Sequence, residues 1–176
     1  FRKRSSTATQ VVNLQRGSRN SAVSARFHVN GGVYVPALDE VIGAPIVDDP
    51  DEPSCHVRLR PNDVVATGHD EYTVTETTDE ASFGKATASD LIALIDALEG
   101  FDAPEKAVAH LSTKLLTQYE RVFGWYLRQN QLDAARLFVS GLRTEFGEER
   151  RWDIFANHLD AVSHHVRGDV LWRDWM

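Results

Sequence analysis

The chain has one cysteine, Cys55, among its 176 residues. A lone thiol excludes an intrachain disulfide and any zinc site built from several cysteines, and it favours a reducing compartment. No apolar run approaches the roughly 20 residues that span a bilayer. The longest apolar-rich stretch, Leu91 to Leu98, is cut by Asp96. There is no Asn-x-Ser/Thr acceptor. The sequence opens on Phe1 rather than Met, so the native start is expected upstream. Several chemical signatures are missing too. No His-Glu-x-x-His motif is present, and no Gly-x-Ser-x-Gly. Neither a helix nor a Lys-Ser/Thr pair follows Gly31-Gly32 as a phosphate loop would require. Asp48 to Glu52 lacks the central Gly and terminal Glu of a calcium loop.

Acid is absent where base is concentrated. Residues 1–38 carry six Lys or Arg and no Asp or Glu, and residues 39–52 carry six acids and no base. The net charge of −7 argues against general affinity for nucleic acid or anionic membrane. The segregation has two readings: the acidic loop folds back onto basic strands, or the two blocks form a charged interaction surface.

What is present is a strict alternation of period two, the mark of a strand with one buried and one exposed face. It runs through Val12–Gln15, through Ala25–Val35 and through Cys55–Arg60. One parity holds Val12, Leu14, Phe27, Val29, Val33, Val35, Val57 and Leu59, the expected core side. The other holds Arg26, His28, Asn30, Tyr34, His56, Arg58 and Arg60, with Asn13, the expected solvent side. Strands are expected at Gln10–Arg16, Ser24–Val35, Ser54–Arg60 and Glu71–Thr77. The paired glycines imply a bulge or a close backbone approach. Residues 37–53 read as an acidic loop.

Residues 87–167 read as helical. Leu91, Leu94, Ile95 and Leu98 recur at helical spacing, with Ser89 or Thr87 as the start and Gly100 as a left-handed cap. Pro104 opens a second helical stretch, read either as one helix or as two with a break near Ser112-Thr113. Two further helices end at Gly147 and Gly168 and form a helical hairpin. Trp172 and Trp175 at the tail either dock on the domain or anchor a partner. Strands followed by helices imply an α+β fold. The expectation is an antiparallel sheet of about four strands in residues 1–80, packed against a helical bundle or hairpin in residues 81–176.

The candidate site is the polar sheet face. His28 and His56 share its parity and would be neighbours if their strands paired side by side. Two imidazoles could then ligate a metal or move a proton, with the arginines clamping a phosphoester-like anion. The same cations oppose a metal, and solvated strand residues explain the pattern equally. Cys55 reads as an inert buried thiol, and His158, His164 and His165 as surface residues of the last helix.

Phe1–Arg4, Gln10–Gln15, Phe27–Tyr34 and Cys55–Arg60 also match motifs of a known family. They resemble its Phe-x-Arg/Lys-Arg opening, its Gln-Val-Val-Asn-Leu-Gln and Phe-x-Val-Asn-x-Gly-Val-Tyr strands, and its Cys-His-x-Arg-x-Arg strand. That family is an uncharacterised bacterial one, a domain of unknown function. The resemblance covers about the first 60 residues. Its members carry an N-terminal helix before the opening motif and a longer stretch before Gln10. The resemblance implies a bacterial, cytoplasmic α+β protein and transfers no activity.

Together these observations lead to a non-catalytic binding or protein-interaction domain. Its surface would be Arg26, His28, Asn30, Tyr34, His56, Arg58 and Arg60. Its partner would be a protein or a small anionic ligand, with no membrane, nucleic acid, metal or cofactor expected. The alternative is a small hydrolase acting through His28 and His56.

Overall fold

The structure, a computed structural model, describes residues 1–175, the side chains of Leu171 and Trp175 excepted. The chain is α+β and divides into two units. One comprises residues 1–34 and 48–103, the other residues 35–47 and 104 onward.

The first unit is a five-stranded antiparallel sheet with one long helix against it. Its strands are β1 (Arg2–Arg4), β2 (Thr9–Arg16), β3 (Ser24–Tyr34), β4 (Val57–Leu59) and β5 (Tyr72–Thr75). β1 is the strand that sequence alternation missed. Three consecutive cations give no apolar beat, and the strand forms by pairing with β2, Arg2 opposite Val11 and Arg4 opposite Thr9. β3 is the centre. One edge pairs with β2, Phe27 opposite Arg16 through Tyr34 opposite Thr9. The other edge is shared: β4 pairs with Gly31–Val33 and β5 with Ser24–Phe27. His28, Asn30 and the Val29 between them therefore have no strand partner on that edge.

Directly opposed residues of an antiparallel ladder face the same side. Phe27, Val29, Gly31 and Val33 thus share a face with Leu59, Val57 and Tyr72, and helix α3 (Glu80–Glu99) covers it. Val29, Val33, Leu94 and Leu98 are fully buried there. Each contributes roughly 1.5–3 kcal/mol. The parity expected for the core is the one α3 covers, with one exception. Leu14 shares this face but is 65% exposed, although Val29 opposite it is fully buried; it lies on the part of β2 that β1 does not reach, since β1 pairs only with Thr9–Val11. Gln10 donates to the Leu98 carbonyl and Lys3 pairs with Glu99, tying β1 and β2 to the end of α3.

No bulge occurs at Gly31-Gly32: the β2–β3 register runs through both residues one for one. The glycines answer close approach instead. A Cβ on Gly31 would lie 2.9 Å from Leu98 Cδ1, and one on Gly32 would lie 2.6 Å from Cys55 Cβ. The two positions let opposite faces of one strand be packed tightly at once.

Helix α3 begins two turns before Thr87, at Glu80, where Asp79 accepts from the Ser82 amide. Its first turns carry a single large apolar residue, so periodicity hid them; that residue, Phe83, reaches the aromatic pair Phe27–Tyr72. Gly100 closes it in right-handed geometry, φ −61° and ψ −22°, rather than as a left-handed cap. Between β4 and β5 lies a one-turn helix, α2 (Pro61–Val64).

The second unit is helical. It holds α1 (Pro36–Glu40), α4 (Pro104–Ser112), α5 (Tyr119–Arg128), α6 (Leu132–Phe146) and α7 (Trp152–Arg167). α5 is the helix on which α4, α6 and α7 pack. Gly124 permits this: a Cβ there would sit 3.0 Å from Val162 and 3.1 Å from Val41. Where α6 and α7 are expected as a hairpin, each packs on α5 instead, and they touch through Phe146 and Phe155, 5.7 Å apart edge to face. Residues 37–40 are helix rather than loop, and Asp39 is buried, receiving the Nε and Nη2 of Arg121 at 2.9 and 2.6 Å. Pro36 ends β3 as expected, and also takes the first position of α1, where its missing N–H costs nothing. Gly168 caps α7 with φ +77°. Trp172 docks fully, its indole donating to Asp160 at 2.9 Å; the Trp175 side chain lies outside the described residues. Among the described residues no helix is long and apolar enough to cross a membrane.

Candidate functional site

The polar face of β3 is covered at one end and open at the other. The cover is the acidic segment 48–56, which folds back across it. Asp49 pairs with Arg2 at 2.6 Å and with Arg4 at 2.8 Å, and Glu52 pairs with Arg58. Of the two segregated blocks, Asp49 thus meets Arg2 and Arg4, while Arg58, the partner of Glu52, lies outside the basic block. Cys55 packs with Val11 and Tyr34, and His56 stacks on Tyr34 with ring centroids 5.0 Å apart.

This corrects the expected exposure. Tyr34, His56 and Asn30 are buried, at 1%, 3% and 3% exposure, because the returning segment and the side chains of the adjoining loop shield them. Arg58 and Asn13 remain exposed, while Arg26, His28 and Arg60 are half-buried. Burial first, then the nearby Glu52 and Asp51, push the Cys55 thiol up to about 12, as befits an inert core residue.

His28 and His56 do not meet. β4 pairs at Leu59 opposite Gly31 and Val57 opposite Val33, which carries His56 beyond that register to Tyr34. From Tyr34 back to His28 is about 20 Å at the strand rise of roughly 3.3 Å per residue. His28 instead donates from Nδ1 to the Asp70 carbonyl at 2.7 Å, with Glu71 at 3.8 Å from Nε2. Arg26 pairs with Glu71 as well, at 3.4 Å.

The open end is a cleft of about 350 Å³ beside the split between β4 and β5. Three expected residues line it: Asn30, Arg58 and Arg60. Three carboxylates that the sequence reading did not assign to a site join them: Glu52, Asp63 and Asp70. Each is half-used. Glu52 accepts from Arg58 Nε at 2.5 Å, Asp70 from Arg60 Nη1 at 2.5 Å, and Asp63 from the Arg60 amide at 2.7 Å. Asn30 accepts from Arg60 Nε at 3.0 Å and donates to Gln15 at 2.9 Å. The terminal nitrogens of Arg58 and Nη2 of Arg60 make no hydrogen bond among the described residues. The cleft therefore offers donors at one place and acceptors at another.

A second polar cluster lies on the helix side of the sheet. Asp90, buried in α3, accepts from the His69 amide at 3.1 Å, from His69 Nδ1 at 2.7 Å and from the Tyr72 hydroxyl at 2.6 Å. Burial pushes the Asp90 carboxyl up, but the hydrogen bonds from Tyr72 and His69 outweigh it and hold the group below its ordinary value. Its sequence signal was available: Asp90, Leu94 and Leu98 share one stripe of a helix, so a carboxylate occupies a core position. In the helical unit, His158 Nδ1 lies 2.5 Å from Glu120 and 2.6 Å from the Tyr119 hydroxyl. Among the described residues no group of three His, Cys, Asp or Glu could hold a metal ion.

No curated protein and no solved structure matches the chain. A family described as a domain of unknown function, DUF4304, matches residues 1–99. That span takes in all five strands, the cleft and the whole of α3, and extends well beyond the four motifs of the first 60 residues. With more than half of its length matched, the chain belongs to the DUF4304 family.

Proposed function

We propose that this is a non-catalytic binding domain, cytoplasmic, which engages a protein partner through the cleft at the split in its sheet. The observation that carries the reading is the state of Arg58. Among the described residues it is the arginine of the polar face with both terminal nitrogens uncommitted, and its side chain is 58% exposed beside a buried carboxylate. Mixed polarity favours a protein over a small, multiply charged anion. Glu52, Asp63 and Asp70 would repel a dianion, whereas a protein surface brings donors and acceptors together. The separation of His28 from His56 removes the convergent pair that the hydrolase alternative needed.

Affinity capture tests this. The tagged wild-type chain, expressed in its native host, is compared with Arg58→Glu/Arg60→Glu, both checked for the same circular dichroism. A polypeptide retained by the wild type and lost by the double variant supports the reading. An identical set of retained proteins contradicts it.

A further inference from the structure

Resting on that binding reading, we infer that the partner group seated on Arg58 is a carboxylate, an acidic side chain or chain terminus, and that Glu52 is there to aim the arginine at it. A guanidinium has two edges that can each receive a carboxylate in parallel hydrogen bonds. Glu52 takes the Nε side of Arg58, at 2.5 Å. The Glu52 side chain is 5% exposed, so it is fixed by its surroundings, and the arginine is fixed through it. What remains, among the described residues, is the four N–H groups of the two terminal nitrogens, on an arginine that lines the cleft. A buried carboxylate spent on one nitrogen of an exposed arginine is poor use of burial if stability is its purpose, since exposed ion pairs contribute little. It is good use if orientation is the purpose.

The neighbouring arginine repeats the pattern. Arg60 gives Nε to Asn30, itself 3% exposed, and Nη1 to Asp70, leaving Nη2. Arg58 and Arg60 are two residues apart on one side of a strand, about 7 Å between Cα atoms. The charge of the surroundings then selects among oxyanions. Three carboxylates line the same cleft. A phosphate carrying nearly two charges meets more repulsion there than a carboxylate carrying one, while both fit the guanidinium edge.

The test is a titration followed by the Arg58 side-chain Nε–Hε signal and the Asn62 amide in NMR spectra. The probes are N-acetyl-glutamate α-amide, its uncharged N-acetyl-glutamine counterpart and inorganic phosphate. The acidic probe should shift both signals and saturate in the millimolar range, the glutamine probe should not, and phosphate should bind more weakly than the acidic probe. Arg58→Lys, followed at Asn62, should weaken the acidic probe about tenfold, because the charge stays and the paired donors go. Glu52→Gln separates aiming from simple charge. Removing a negative group strengthens anion binding if charge alone matters, and weakens it if Glu52 orients Arg58. Should Glu52→Gln not fold, Arg58→Lys decides the matter by retaining or losing the acidic probe's affinity. Phosphate binding the tighter, equal affinity in Arg58→Lys, or tighter binding in Glu52→Gln would each overturn the inference. If these fail while a captured partner is still lost in the double arginine variant, the binding reading stands and the carboxylate assignment falls.

Discussion

Asp90 Oδ2 lies 2.6 Å from the Tyr72 hydroxyl, joining the middle of α3 to the first residue of β5. The same oxygen holds His69, so one buried carboxylate fastens the loop before β5, and the strand itself, to the helix over the sheet. Tyr72→Phe leaves the ring packed on Phe27 and removes only the hydroxyl. It is expected to cost about 1–2 kcal/mol of unfolding free energy in urea titration.

The same carboxylate sets a pH dependence. Its folded-state value is depressed below the ordinary 3.8. The stability it supplies is therefore present above that unfolded value and is lost as pH falls through the folded one. Wild-type stability should drop below about pH 4 more steeply than that of Asp90→Asn, measured by urea unfolding at a series of pH values. Parallel curves would show that Asp90 carries no such linkage.

Two glycines give opposite expectations for the same substitution. Gly32→Ala drives a methyl into Cys55, 2.6 Å from its Cβ and 2.7 Å from its Sγ, and should destabilise by about 1–3 kcal/mol. Gly84→Ala lies in α3 with no atom within 4 Å of the new carbon. It should stabilise by about 1 kcal/mol, the propensity difference in a helix interior. Thermal or chemical unfolding of the two variants reads both signs.

In the helical unit Arg121 pairs with the buried Asp39 at 2.6 Å. Breaking a buried pair costs roughly 3–5 kcal/mol, and the 22% exposure of Arg121 brings the expectation for Arg121→Met to the lower end of that range. An unfolding free energy within about 0.5 kcal/mol of wild type would mean the pair contributes no more than an exposed one.

The fold was legible wherever a side-chain beat accompanies an element. Val29, Val33, Val57 and Leu59 announced the sheet side beneath α3, and Leu94 and Leu98 announced the helix. Elements without a beat stayed hidden. β1 is three cations defined by its pairing with β2, and Glu80–Lys85 of α3 has Phe83 as its one large apolar residue and so no repeat. The candidate site was half legible. Asn30, Arg58 and Arg60 were read from parity and do line one cleft. Parity says nothing of what covers a face, so the burial of Tyr34 and of the His56 stacked on it required the tertiary path of residues 48–56. Register was the other unknown. An alternating pattern fixes which side a residue faces and not which residue stands opposite, and the distance between His28 and His56 depends on the latter.

The account rests on the cleft beside Arg58 being the place where a partner is held. Site-specific photocrosslinking measures that directly, with a benzophenone side chain placed at the exposed, cleft-lining Asn62 and, as control, at the exposed Leu137 of α6. Irradiation in the native host should join one discrete polypeptide to the chain from position 62, and Arg58→Glu should abolish that product. The same product from both positions, or a product from position 62 that persists in Arg58→Glu, would contradict it.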